Sequence, residues 1–174
     1  MALFGLALAA LRRGEAERVR HFGGEGLAIS RDIGDPWFTS YFQWLLASAA
    51  LDQSDLAVAR SAAEEALETG VQAGGTLLVV CARETLARVE WAQGNQAAAH
   101  RQVEDALAAS ERVGVPASYV AAVQLTLGQL IAASGDGEIA RAHIEASLTL
   151  ATGVGDAWAA ERAEWALADL GFVA

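Results

Sequence analysis

Pairs of a leucine and a small residue recur along the chain at a spacing of roughly 40 positions. A large apolar side chain beside a residue small enough to admit another helix is what close antiparallel helix packing requires. The pattern therefore predicts helices that pack against one another in pairs. The recurring pairs are Leu6-Ala7, Leu46-Ala47, Leu86-Ala87, Leu127-Gly128 and Leu167-Ala168, and slim positions on the second helix of each pair are Val19, Ala59, Ala99 and Ala140.

Turn and stop signals separate these helices. Most of the residues that follow the turns are good helix N-caps, and glycine just past a helix supplies a left-handed C-cap. Pro36 and Pro116 come two residues after such glycines, where proline suits the first turn of a helix. The turn positions are Gly14, Ser54, Gly94 and Gly135, followed by Glu15, Asp55, Asn95 and Asp136; the stop glycines are Gly34, Gly74, Gly114 and Gly155.

Together these signals predict an all-α chain, an α-solenoid wound as a right-handed superhelix of antiparallel helix pairs. The first helices of the pairs are expected at about 1–13, 36–52, 75–92, 117–133 and 157–170, and the second helices at about 15–33, 55–73, 95–113 and 136–154. The units then run over about 1–34, 35–74, 75–114 and 115–155, with a terminal helix in 156–174.

Both ends of this single array look truncated, because the first helix is short and the last unit has one helix only. Neither end carries a polar cap, and uncapped ends of a solenoid invite self-association. We expect a fragment of a larger protein, with a homodimer through the exposed terminal helices as the alternative.

Composition agrees with helices and limits the partners. Two prolines and 53% hydrophobic residues, with few β-branched side chains, favour helix over strand. A net charge of −10, from 22 acidic residues against 12 basic ones, argues against direct binding of nucleic acid. The single cysteine, Cys81, has no internal disulfide partner, which indicates a reducing, cytoplasmic compartment.

The apolar stretch from Met1 to Leu11, followed by Arg12 and Arg13, has some features of a signal peptide. It lacks a basic region in front of the apolar residues, and it falls in phase with the repeats. We interpret it as the first helix of the array, and we expect no association with a membrane.

With these features the chain resembles the tetratricopeptide-like (TPR-like) helical repeats of large bacterial regulators. The leucine–small pairs, the small residue of the second helix, the Gly-Asp-Pro junction and the period near 40 are similar to the helical regions of the ATP-binding LuxR and MalT-like families and of the actinobacterial antibiotic regulatory proteins. The ATP-binding loop and the helix-turn-helix of those families are not in this chain. The resemblance implies a sensor or docking module of a bacterial signalling or transcriptional protein.

The resemblance also implies which side chains face a concave groove, since in similar arrays the first helix of each pair lines it. Spacings of three, four and seven residues put each set on one helical face, and a mixture of Trp, Tyr and Arg is enriched at binding hot spots. Trp44, Trp91 and Trp165 fit the core as well as the groove, and Trp37 and Trp158 are interpreted as packing residues. The groove positions are Tyr41, Trp44, Ser48, Cys81, Glu84, Arg88, Trp91, Leu125, Gln129, Arg162, Trp165 and Asp169.

Three glycines, Gly23, Gly24 and Gly26, lie where the first of the second helices should run. They predict a kinked or loose helix, either a degenerate terminal repeat or a hinge. No Lys-Ser/Thr follows and no strand precedes, so a phosphate-binding loop is not expected.

No catalytic, metal or cofactor site is predicted. His21, His100 and His143 fall in different units without a second ligand at metal-binding spacing. The acidic pairs Glu64-Glu65 and Glu104-Asp105 fit solvated helix faces. Cys81 has no basic neighbour to activate it, and only a groove position would keep its thiol reactive.

The predicted function is therefore non-catalytic binding: a scaffold that holds a peptide or protein partner in the groove. A small-molecule effector sensor is the first alternative, and a self-association module is the second. An open groove of mixed charge favours a peptide, whereas a closed pocket between Trp44, Arg88 and Trp165 favours a compact effector.

Overall fold

The computed structural model describes residues 2–112 and 114–171, without the side chain of Arg112. Within those residues the chain is all-α, with no strand, as predicted. The helix bounds lie within one or two residues of the predicted ones. The nine helices are α1 (Ala2–Arg12), α2 (Ala16–Asp32), α3 (Pro36–Asp52), α4 (Leu56–Gln72), α5 (Thr76–Ala92), α6 (Gln96–Arg112), α7 (Ala117–Ala133), α8 (Gly137–Gly153) and α9 (Ala157–Gly171).

One kind of turn recurs between the helices. At Gly34, for example, the backbone is left-handed with φ of 67°, and the next amide, of Asp35, donates to the carbonyl of Ser30 at 2.9 Å. This hydrogen bond satisfies a carbonyl that the end of the helix would otherwise leave unpaired. Ser54 takes the same conformation, with φ of 60°, although it is not a glycine. The stop predicted at Gly114 adjoins residue 113, which is outside the described residues. The other left-handed glycines are Gly14, Gly74, Gly94, Gly135 and Gly155.

Aspartate side chains begin four of the helices by accepting a hydrogen bond from the amide three residues further on. Two other residues that follow the turns, Glu15 and the predicted N-cap Asn95, bond elsewhere. Glu15 makes no capping bond and pairs with Arg18 instead, and the side chain of Asn95 donates to Glu90. Pro36 occupies the first turn of α3, whereas Pro116 is the N-cap of α7 and so precedes its helix. The capping residues are Asp35, Asp55, Asp136 and Asp156.

The helices form two layers. Each helix packs against its neighbours in the chain, and each odd-numbered helix also packs against the next odd-numbered helix. The odd helices therefore make a continuous inner layer, and the even helices lie on its other side. The slim positions Val19, Ala59, Ala99 and Ala140 are fully buried where the layers meet.

The glycines of α2 do not interrupt it, so the prediction of a kinked or loose helix at this point is wrong in its main feature. The helix runs unbroken from Ala16 to Asp32. A methyl group at Gly26 would overlap the ring of Phe42, and one at Gly23 would lie 3.1 Å from a methyl carbon of Leu46. These glycines let α3 approach α2 closely.

No helix within the described residues has the length and apolar character needed to cross a membrane.

Candidate ligand pocket

A cavity of about 320 Å³ lies on the inner layer, and all five odd helices contribute to its wall. Residues from α1 and α9 stand beside residues from the middle of the chain. The lining consists of Leu8, Leu11, Arg12 and Gly14; Trp44, Ser48 and Asp52; Glu84 and Arg88; Ser118, Tyr119 and Ala122; and Asp156, Trp158 and Arg162.

Two long-range contacts join residues of the cavity wall. The guanidinium of Arg12, at the end of α1, donates to a carboxylate oxygen of Asp156 at 3.0 Å, a contact between residues 144 positions apart. The rings of Trp44 and Tyr119 meet with centroids 6.2 Å apart, which joins α3 to α7. The inner face of the layer is therefore bridged at these two places.

The charged side chains of the wall are balanced: three arginines face three acids. Arg12 pairs with Asp156, and Arg88 lies 3.3 Å from Asp52. Glu84 accepts a hydrogen bond of 2.7 Å from the hydroxyl of Thr126 on α7. In a chain of net charge −10, this wall is unusually rich in positive charge.

Arg162 differs from the other two arginines of the wall. Among the residues that the structure describes, no carboxylate lies within salt-bridge distance of its guanidinium, and no hydrogen-bond acceptor is placed for it. Burial lowers the pKa of Arg162, and the nearby positive charge of Arg88 lowers it further, while Glu84 and Asp52 raise it. An arginine still keeps its proton at neutral pH. A partly buried positive charge is thus directed at the cavity without a direct partner.

Aromatic rings form much of the remaining wall. The guanidinium of Arg162 lies 4.6 Å from the centroid of the Trp158 ring, and that of Arg12 lies 5.5 Å from the same centroid. These cation–π contacts hold both arginines at the cavity. Burial raises the pKa of Tyr119 to about 12, so its phenol is neutral at neutral pH and can donate or accept a hydrogen bond.

Five of the predicted groove residues line the cavity: Trp44, Ser48, Glu84, Arg88 and Arg162. Each lies on an odd helix, at a position that the spacing of three, four and seven residues places on the predicted face.

Three other predicted groove residues are buried in the inner layer instead. Tyr41 packs against Phe4, with ring centroids 4.9 Å apart, and Leu125 is 2% exposed in the core. Cys81 is also buried, and burial raises the pKa of its thiol well above the ordinary value, with Glu84 adding to the effect. A neutral, enclosed thiol is a poor nucleophile, so the condition for a reactive Cys81 is not met.

The remaining four predicted residues lie outside the cavity. Trp91 and Gln129 line a neighbouring depression that shares Asp52 and Arg88 with it. Trp165 is 68% exposed on α9, and Asp169 is exposed beyond it. Of the pocket expected between Trp44, Arg88 and Trp165, Trp44 and Arg88 line the cavity, and the tryptophan beside them is Trp158 rather than Trp165.

Several lining residues were missed, and two had a signal in the sequence. Trp158 stands four residues before Arg162, and Asp52 stands four residues after Ser48, so each shares a helical face with a residue that was selected. Arg12, Tyr119 and Asp156 had no such signal, because they reach the cavity only through the way in which distant helices come together.

The wall offers hydrogen bonds, charges and aromatic faces. Its hydroxyl groups, on Ser48, Ser118 and Tyr119, have no histidine beside them in the lining. Among the described residues, no group of three or more His, Cys, Asp or Glu side chains is placed to hold a metal ion.

Comparison with known proteins does not assign the chain to a family. No family model matches it, and no curated protein is detectably similar to it in sequence.

Proposed function

We propose that this chain is a non-catalytic, ligand-binding helical-repeat domain that senses a compact small molecule in the cavity of its inner layer. The observation that carries the proposal is the meeting of residues from both ends of the chain at that cavity, through the Arg12–Asp156 contact.

The two bridging contacts favour a small molecule over an extended peptide. A peptide that lies along a groove needs an open path at both ends, whereas the bridging contacts Arg12–Asp156 and Trp44–Tyr119 span this one. A volume of about 320 Å³ is at the small end of the range of ligand pockets. A wall that combines aromatic and aliphatic side chains with convergent polar groups is also typical of such pockets.

The finer architecture belongs to the same proposal. The recurring left-handed turn and the inner layer of odd helices support an α-solenoid of TPR-like helix pairs with a period near 40 residues. We propose that this solenoid winds as a right-handed superhelix, and that its units follow the boundaries inferred from the sequence.

The positions of the cavity residues along the chain support a role in sensing. Arg12, Trp44, Glu84, Tyr119 and Arg162 lie on five helices spread over the chain. A ligand that contacts them changes the relative stability of arrangements of the whole array, which is what coupling to another domain requires. We therefore place the chain in a bacterial signalling or transcriptional regulator, in the cytoplasm, where the lone Cys81 stays reduced.

Two tryptophans on α9 provide a matched test. Trp158 lines the cavity, and Trp165 does not. We expect a metabolite library titrated against the protein to contain compounds that change tryptophan emission in a saturable way. The change should persist in Trp165→Phe and shrink in Trp158→Phe.

Filling the cavity checks the same assignment. Ala122→Phe puts a ring into the space from α7, and Ser118→Phe does so one turn earlier. Calorimetric titration should show binding lost in whichever variant keeps the helical circular dichroism and melting behaviour of the parent. Binding that survives in a folded, filled variant would place the ligand elsewhere.

A protein-binding scaffold is the second candidate, and the depression lined by Trp91 and Gln129 favours it. Peptides that bind with an affinity unaffected by Ala122→Phe but reduced by Gln129→Ala, while no small molecule binds, would select the scaffold.

A further inference from the structure

The cavity also carries information about the kind of molecule that fits it. The features that decide this are the unpaired charge of Arg162, the aromatic surfaces beside it and the carboxylates on the same wall. The inference rests on the proposed small-molecule function and adds the chemical class of the ligand.

The charges of the wall leave one place for a ligand anion. Arg12 and Arg88 are each paired with a carboxylate, at 3.0 and 3.3 Å. Arg162 has no paired carboxylate among the described residues, and a ligand that displaces water from the cavity would leave that charge uncompensated. An anionic oxygen on the ligand removes this penalty, since it forms charge-assisted hydrogen bonds with the guanidinium.

The same wall limits the charge of the ligand to a single negative unit. Asp52, Glu84 and Asp156 all line the cavity. Asp52 and Asp156 are already paired with arginines, so the second negative charge of a phosphate monoester meets Glu84, the lining acid that no arginine contacts among the described residues. Like charges at short range are costly in a partly buried site. A monocarboxylate meets Arg162 with the least repulsion, and the fork of the guanidinium matches its two oxygens.

The rest of the wall selects the body of the ligand. Trp44 and Tyr119 meet across the cavity, and Trp158 supports the Arg162 guanidinium. Flat rings pack against such surfaces in offset or edge-on arrangements that add to the free energy of apolar burial. Leu8 and Leu11 complete an apolar side that offers no hydrogen bond.

We infer that the cavity binds a compact aromatic monocarboxylate, with the carboxylate on Arg162 and the ring among Trp44, Tyr119 and Trp158.

Four probes of similar size separate the parts of this inference: 2-naphthoate, its neutral amide, 2-naphthyl phosphate and a saturated bicyclic carboxylate. We expect isothermal titration calorimetry to show that naphthoate binds about tenfold or more tightly than the amide. The phosphate and the saturated acid should both bind more weakly than naphthoate.

Variants test the role assigned to Arg162. Arg162→Gln should remove the preference for naphthoate over the amide while leaving binding of the amide nearly unchanged. Arg162→Lys should retain part of the preference, because it keeps the charge and loses the fork. Arg141→Gln, at an exposed arginine of α8 outside the cavity, is the matched control and should behave as the parent protein.

The probe comparison on the parent protein stands even where Arg162→Gln fails to fold. If naphthoate and the amide bind equally and both are lost in Ala122→Phe, the inferred preference for an anion is wrong, and the small-molecule function stands. Tighter binding of the phosphate would contradict the inferred preference for a single negative charge. Equal binding of the saturated acid would contradict the inferred preference for a flat aromatic ring. If none of the four probes binds, the inferred class is wrong, and the metabolite titration judges the function separately.

Discussion

At the scale of single residues, a well-connected ion pair, Arg60 with Glu90, lies outside the cavity. Glu90 on α5 accepts hydrogen bonds of 2.8 Å from Arg60 on α4 and 2.8 Å from Asn95 in the following turn. Its side chain is only 12% exposed. Arg60 also reaches Gln93 and, at 3.5 Å, the more exposed Glu64. One carboxylate thus ties α4, α5 and the start of α6 together.

This arrangement predicts a defined dependence of stability on pH. The hydrogen bond from Arg60 is the main reason that the pKa of Glu90 lies below its ordinary value of 4.5. As pH falls, the unfolded chain therefore takes up this proton first. The stabilisation is complete above the ordinary pKa and disappears as pH falls through the lower folded-state value.

Glu90→Gln should lower the free energy of unfolding by about 1–2 kcal/mol at neutral pH. The difference from the parent should shrink as the pH is lowered below 4.5, which urea unfolding at a series of pH values measures. Glu64→Gln, at the weaker partner of the same arginine, should change little at any pH. A Glu90→Gln deficit that stays constant with pH would contradict the account.

At the scale of elements, α2 shows how a helix tolerates residues that ordinarily weaken it. Glycine in a helix interior costs about 0.5–1 kcal/mol relative to alanine. At Gly26 the lost side chain makes room for the Phe42 ring, which is 4% exposed in a core cluster with Ala7 and Leu45. At Gly24 nothing lies within 4 Å of the place that a methyl group would take.

These two glycines predict opposite effects of the same substitution. Gly24→Ala should stabilise the protein by about 0.5–1 kcal/mol through helix propensity alone. Gly26→Ala should destabilise it by about 1–3 kcal/mol, because the ring of Phe42 has to move within a packed cluster. Urea unfolding of both variants gives the comparison. Equal stabilities would mean that the close approach of α3 does not depend on Gly26.

The helices were readable from the sequence because their signals are local. The left-handed residue, the aspartate cap and the leucine–small pair each act within a few positions, so the bounds of α3 and α7 agree with those expected. The loose α2 was a wrong prediction for a related reason. Helix propensity is a local quantity, whereas the space that Gly26 provides belongs to a contact with another helix.

Only part of the cavity lining could be predicted from the sequence. Helical spacing indicates which residues share a face of a helix, but it does not give the angle between successive helix pairs. Ser48, Glu84 and Arg88 were found on the right faces. On α7 the prediction took Leu125 and Gln129 toward the end of the helix, whereas the cavity meets Tyr119 near its start. Which part of α7 reaches the cavity depends on the angles at which the inner helices cross, and those angles are set by packing along the whole chain.

At the scale of the whole molecule, the Arg12–Asp156 contact joins the end of α1 to the residue that caps α9. In a repeat array whose units meet only their neighbours, stability is close to a sum of terms from units and adjacent interfaces. A contact over 144 positions adds a term that exists only when every helix between is in place. It should therefore form late in folding.

Arg12→Gln should accelerate unfolding, by no more than about fivefold, and leave the folding rate unchanged, as expected for an interaction absent from the transition state. Stopped-flow measurements of folding and unfolding against denaturant give both rates. Arg31→Gln, which breaks the nearer pair of Arg31 with Glu65, is the control for losing a solvent-exposed ion pair. A slower folding rate in Arg12→Gln would mean that the ends meet early.

The charge balance of the cavity within so acidic a chain also bears on how quickly an anion arrives. The three arginines are matched by three acids, so the surplus of −10 lies elsewhere on the molecule and repels an approaching carboxylate from a distance. Dissolved salt screens that long-range repulsion over roughly 10 Å at 0.1 M, while the contact with Arg162 inside the cavity is screened much less. Raising the ionic strength should thus quicken capture of the anion, the reverse of the slowing expected when a basic surface attracts its ligand.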